Sequence, residues 1–137
     1  MKIYIFGNGN ISFNDFEHFY RKPLEPFLSD DDVEFIVCDF RGTDTLSMEL
    51  LKCYTPRVTV YHIGEKPRYF PDTYKTKASQ WQIKNGFKSD ADRDFAAMTD
   101  CTHFLANDFN SDARRKSGTQ QNIERCLELG KTDLSLI

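Results

Sequence analysis

No apolar run in the sequence is long enough to cross a bilayer as a helix. Met1-Lys2 leads straight into a short strand-like stretch, without the longer apolar core of a signal peptide, so the expected compartment is the cytoplasm with no membrane partner. The four cysteines, Cys38, Cys53, Cys101 and Cys126, are widely separated. With no Cys-x-x-Cys pair there is neither a redox dithiol nor half a zinc site, and they read as reduced, mostly buried small hydrophobes. His18, His62 and His103 share no metal-like spacing, so neither a metal nor another cofactor is expected. Positive charge is not in excess either. Eighteen Lys and Arg against 21 Asp and Glu give a net charge of -3, which argues against a dedicated nucleic-acid protein, because phosphate-backbone affinity comes from concentrated basic residues.

What is present is the material of one globular domain. The chain has 137 residues, 39% of them hydrophobic and 28% charged. A chain of this length buries roughly two-thirds of its unfolded surface, and needs no disulfide or structural metal to do so. Residues 1–137 are therefore expected to form a single domain.

Strand and helix signals alternate along it. Ile3-Tyr4-Ile5-Phe6 reads as a buried strand that stops at Gly7-Asn8-Gly9-Asn10. Phe16, Phe19, Tyr20, Leu24, Phe27 and Leu28 follow at helical spacings, although Pro23 and Pro26 must bend or end that helix. The pattern predicts helix over 14–21 and a looser turn after it. Val33 to Cys38 is a second strand, Thr45 to Tyr54 a second helix and Arg57 to Ile63 a third strand. From Gly64 to Ser89 no period holds. A stretch so long is expected to be an insertion, either a mobile lid or a side wall, and its Tyr69, Phe70, Tyr74 and Trp81 are candidates to stack on a base, with Lys75 and Lys77 near phosphate. Asp90 to Asp100 then reads as helix, Thr102 to Ala106 as a fourth strand and Gln120 to Leu129 as the last helix, capped by Gly130. Asp133 to Ile137 is a fifth strand or a frayed tail. This order predicts an α/β, Rossmann-like three-layer domain around a mainly parallel sheet of four to five strands.

In such sheets ligands bind outside the carboxyl ends of the strands, where strand order reverses. Three loops should meet there. Ser117-Gly118-Thr119 opens the last helix, where free backbone N–H groups and the helix dipole favour an anion, and Arg114, Arg115 and Lys116 lie just upstream. The bland reading is that Ser117 or Thr119 only caps the helix. Gly7 and Asn8 after the first strand open the backbone and supply donors and acceptors, although the third Gly of a dinucleotide fingerprint is missing. The third loop joins Arg41, an anion-binding group, to Gly42, Thr43 and Asp44, whose carboxylate is suited to ribose hydroxyls. A plain helix cap at Thr43 or Asp44 is the alternative there.

Gly7-Asn8, Arg41-Gly42-Thr43-Asp44-Thr45-Leu46, Asp94 with Met98-Thr99-Asp100, and Ser117-Gly118-Thr119-Gln120-Gln121-Asn122-Ile123 together resemble the SLOG superfamily of nucleotide-binding domains. That group includes the cytokinin-activating phosphoribohydrolases, the DNA-processing protein DprA and, more distantly, nucleoside 2-deoxyribosyltransferases. The resemblance covers roughly residues 2–131, with 64–89 unmatched. It implies that Gly118 and Thr119 cradle a phosphate and that the chain forms a homo-oligomer. Asn122, however, stands where the hydrolases and transferases carry Glu, and Lys116-Ser117 replaces their double Gly. A neutral amide cannot serve as nucleophile or stabilise a cationic sugar. Glu124 is turned about 200° away on the helix.

The first expectation is therefore a nucleotide or nucleotide-sugar binding domain using Gly7, Asn8, Arg41, Gly42, Thr43, Asp44, Ser117, Gly118, Thr119 and Asn122. A second is an N-glycoside hydrolase or deoxyribosyltransferase in which Asp94 or Asp100 supplies the catalytic carboxylate. A third is a protein-interaction module that uses the aromatic 64–89 segment.

Overall fold

Residues 1–137 are described by a computed structural model. Ile3 and Ile5 alternate with Tyr4 and Phe6 along strand β1 (Lys2–Gly7), and all four are buried. A strand apolar on both faces must be covered on both, which is the condition for a parallel sheet between helical layers. Ile3 and Ile5 join Phe16, Tyr20, Leu24, Val37, Met48 and Leu51 in one core, and Tyr4 and Phe6 join Ile36, Cys38, Met98, Phe104 and Cys126 in the other. Each such aliphatic or aromatic side chain contributes about 1.5–3 kcal/mol by leaving water.

The remaining strands are β2 (Glu34–Cys38), β3 (Val58–Tyr61), β4 (Gln82–Lys84), β5 (His103–Asn107) and β6 (Thr132–Asp133). They form one six-stranded sheet in the order β4-β3-β2-β1-β5-β6, with every pairing parallel. The α/β three-layer architecture expected from the sequence is present, with six strands rather than four to five. The strand with no counterpart in the sequence reading, β4, is one edge, and β6, which overlaps the start of the fifth strand expected at 133–137, is the other. β4 is exposed throughout and carries no apolar alternation to read, and β6 pairs through only two residues before Leu134–Leu136 turns into a 3₁₀ helix.

The first helical segment runs past its prolines. Helix α1 (Phe13–Phe16) passes into a π-helical turn, Glu17–Arg21, then α2 (Lys22–Leu24) and a 3₁₀ turn, Glu25–Phe27. The Lys22 amide donates to the Glu17 carbonyl, five residues back. That wider register lets Pro23, which has no N–H, enter without ending the helix. Phe16, Tyr20, Leu24 and Leu28 consequently form one buried stripe.

Helices α3 (Thr43–Leu51), α4 (Asp90–Asp100) and α5 (Gly118–Glu128) complete the layers, α3 on the first core and α4 with α5 on the second. The 64–89 segment is a folded side wall. Trp81 is buried, donates from Nε1 to the Thr55 carbonyl at 2.8 Å and meets Phe70 edge-on, while Tyr69 donates to Glu49 at 2.7 Å. No helix is long and apolar enough to cross a membrane.

Candidate functional site

The chain leaves β1 toward β2, β3 and β4 on one side and later returns to β5 on the other, so strand order reverses between β1 and β5. The loops after these two strands must diverge, and a crevice opens at their carboxyl ends. One phenol sets its base. Tyr20 Oη donates to the Phe6 carbonyl at 2.8 Å and accepts the Asn107 amide at 2.9 Å, joining the ends of the two strands. A Cβ on Gly7 would lie 2.2 Å from that hydroxyl and 2.6 Å from Thr43 Oγ1, so the glycine at this position is required by packing.

Above it, Asn8 stitches the loops together. Its Nδ2 donates to Asp108 Oδ1 at 3.0 Å and to Thr119 Oγ1 at 3.3 Å, and its Oδ1 accepts the Phe109 amide at 2.8 Å. Asp108 also accepts from Ser117 Oγ at 2.7 Å and from the amides of Asn110 and Ser111. Burial pushes the Asp108 carboxyl up, but the hydrogen bonds from Ser111, Ser117, Asn8 and Asn110 prevail and hold it far below the ordinary aspartate range. Ser117 is thereby fixed as the cap of α5, accepting the Gln120 amide at 3.0 Å.

The loop after β2 is held by Gly42 and Thr43. Gly42 has φ +75°, and a Cβ there would meet the Gly9 backbone at 2.6 Å. Thr43 donates from both its amide (3.2 Å) and its hydroxyl (3.0 Å) to the Asn8 carbonyl. Neither residue lines the crevice. Both were expected to touch ligand, and both instead brace one loop against the next.

The crevice is a cavity of about 670 Å³ lined by Tyr4, Phe6 and Phe40 among mainly polar groups, including Arg41, Asp44, Asp94, Arg115, Thr119 and Asn122. At one wall the Gly118 and Thr119 amides open α5 and have no acceptor within the helix. Gly118 has an ordinary φ, and a Cβ there would meet nothing within 4 Å, so the fold itself does not demand a glycine. Arg41 and Arg115 line the same space, and neither has a carboxylate partner. Unused amides at a helix dipole's positive end, together with unpaired guanidiniums, form a pole suited to an anion.

The opposite wall is acidic and centred on Arg93, a residue sequence reasoning passed over. Buried Arg93 pairs with buried Asp39 at 3.0 Å, with Asp90 at 2.7 Å and with Asp94 at 2.9 Å. Arg68, from the 64–89 wall, adds bonds to Asp39 from its amide (2.7 Å) and guanidinium (3.0 Å). Burial raises the Asp39 carboxyl, but Arg68 and then Arg93 outweigh it and leave it below its ordinary value. Asp44 differs. It is buried, its Oδ2 accepts only the Phe40 amide, and burial pushes it up to about 7, with Asp94 and Asp39 acting in the same direction against Arg93.

Asp94 lies in the cavity, with Oδ1 held by Arg93 and Oδ2 accepting from Asn122 Nδ2 at 3.2 Å. Asp100 does not. It ends α4, accepts from Tyr61 Oη at 2.6 Å and pairs with Lys84 at 3.2 Å, away from the cavity lining. The expectation that Asp100 serves at the site is corrected by helix geometry, since six residues from Asp94 is almost two turns, roughly 9 Å along the axis. Trp81, Phe70, Tyr74, Lys75 and Lys77 also lie outside the cavity lining. Arg93 carried a signal nonetheless, as the one basic residue in a helix bearing four aspartates. Asp108 carried none beyond its place after a strand.

Comparison with protein families, with curated proteins and with solved structures finds no match to this chain.

Proposed function

We propose that the chain binds a phosphate-bearing nucleotide or nucleotide sugar at the carboxyl edge of its sheet, with a phosphate at the amino end of α5. The observation that carries this is the convergence of the acceptor-free Gly118 and Thr119 amides with the unpaired Arg41 and Arg115 around one cavity at the strand-order reversal. The SLOG resemblance supports the same reading, and in it Asn122 reads the ligand and performs no covalent step. Asp94, with both oxygens occupied, positions Asn122.

Native mass spectrometry after incubation with nucleoside mono- and diphosphates, nucleotide sugars and ADP-ribose tests the reading. Retention of an intact nucleotide that is lost in Thr119→Ala or Arg41→Ala supports it. Release of free base would replace it with glycoside cleavage, and absence of binding across the whole panel would refute it.

A further inference from the structure

Phe40 is a large ring that the fold leaves outside its cores and about two-fifths exposed. It carries the Arg41 and Arg68 guanidiniums at 5.3 and 5.6 Å from its centroid. It also divides two spaces. A second cavity of about 290 Å³ is lined by Asp39, Phe40, Arg41, Thr45, Arg68 and Tyr69, and shares Phe40 and Arg41 with the main one. Within this smaller space most of the polar groups are already engaged. Thr45 Oγ1 donates to the Gly42 carbonyl, Tyr69 Oη to Glu49, and Asp39 accepts from Arg68 Nη2 and Arg93. What remains for a guest is two aromatic rings, the free N–H groups of Arg41, and Nε and Nη1 of Arg68. A flat molecule with apolar faces and acceptors on its edge uses both the rings and the guanidiniums, whereas a phosphate alone would use only the guanidiniums.

We infer that the second cavity is a ring subsite, in which a nucleobase packs against Phe40 and Tyr69 while Arg41 donates to its edge. The inference rests on the nucleotide reading above and adds where the base goes. Arg41 then stands between the phosphate pole and the base pocket, since it lines both spaces.

The test compares ribose 5-phosphate, adenosine, AMP and UMP by isothermal titration on the wild-type chain and on Phe40→Ala and Thr45→Leu. Thr45 lines only the second cavity, so leucine there plugs that cavity and leaves the main one open. At least one nucleotide should bind about tenfold or more tighter than ribose 5-phosphate, as expected for base–aromatic stacking. Both substitutions should abolish that margin, and Thr45→Leu should leave ribose 5-phosphate affinity unchanged, with unaltered circular dichroism showing that each variant folds. A margin that survives Thr45→Leu would place the base in the main cavity and overturn the inference while sparing the phosphate reading. If ribose 5-phosphate fails to bind the wild type, the phosphate reading falls. The ring subsite then stands only if adenosine binds and the binding is lost in Thr45→Leu, and otherwise falls too.

Discussion

Asp44 gives the cleanest test of the electrostatics of the site. Folded, it keeps its proton up to about pH 7; unfolded, it releases the proton near the ordinary value of about 3.9. Between those values the folded chain binds more protons than the unfolded one, so stability falls as pH rises through the window from about 4 to 7. Below it both states are protonated, and above it both are ionised and the full cost is present. A difference of roughly three units at about 1.4 kcal/mol each amounts to about 4 kcal/mol. Asp44→Asn removes the titration while keeping an oxygen to accept the Phe40 amide. Wild type and variant should be unfolded in urea at pH 4.5, 6, 7 and 8, followed through the fluorescence of Trp81, the only tryptophan and a buried one. His103, whose pKa is lowered by burial and the nearby amino terminus, is common to both proteins and cancels in the difference. The wild type should lose about 3 kcal/mol relative to the variant between pH 4.5 and 8. A difference that stays flat across that range would refute the reasoning.

Arg93→Met should cost about 3–5 kcal/mol at pH 7, because it leaves buried Asp39 with Arg68 alone and strips part-buried Asp94 of its cation; calorimetry should show the loss as a lowered Tm. Gly42→Ala forces a side chain to a φ of +75° against the Gly9 backbone, so its urea midpoint should fall by the equivalent of more than about 1 kcal/mol. For Asp108, the depressed folded pKa means stability that is present above about pH 4 and lost as pH falls toward the folded value. Asp108→Asn should therefore be less stable by about 1–3 kcal/mol at pH 7 and show a flatter acid limb in denaturant titrations below pH 4.

The architecture was legible because a parallel sheet writes its strands as short apolar runs, and Ile3–Phe6, Phe35–Cys38 and Phe104–Ala106 are buried on both faces. β4 was not, since Gln82, Ile83 and Lys84 are exposed and held only by pairing with β3. The helix over 13–27 was cut short in expectation because Pro23 predicts a break, and only a change of hydrogen-bond register avoids one. At the site, the meeting of the loop glycines and the start of α5 at one crevice was readable from the sequence. The division of labour among their neighbours was not. Gly42, Thr43 and Asn8 have the chemistry of ligand contacts, but their donors and acceptors are consumed by loops that are distant in sequence, such as the Asn8 bond to Asp108. Asp39 and Arg93 lie 54 residues apart and find each other only through the fold.

Tyr20 has a mechanical consequence for access to the site. Its single oxygen is clamped from both strands at the point where they part, with the Phe6 carbonyl on one side and the Asn107 amide on the other. The base of the crevice is thus a fixed hinge pin, and widening it means breaking two hydrogen bonds at once. The rim beyond it is built from exposed residues 109–116; Phe109 and Asn110 are tied to Asn8 and Asn10, and residues 112–116 are secured by short local turns such as the bonds from Arg114 and Arg115 to Asp112. If the crevice widens, the rim is therefore where it should give while the sheet beneath stays still, like a cuff and not like a jaw.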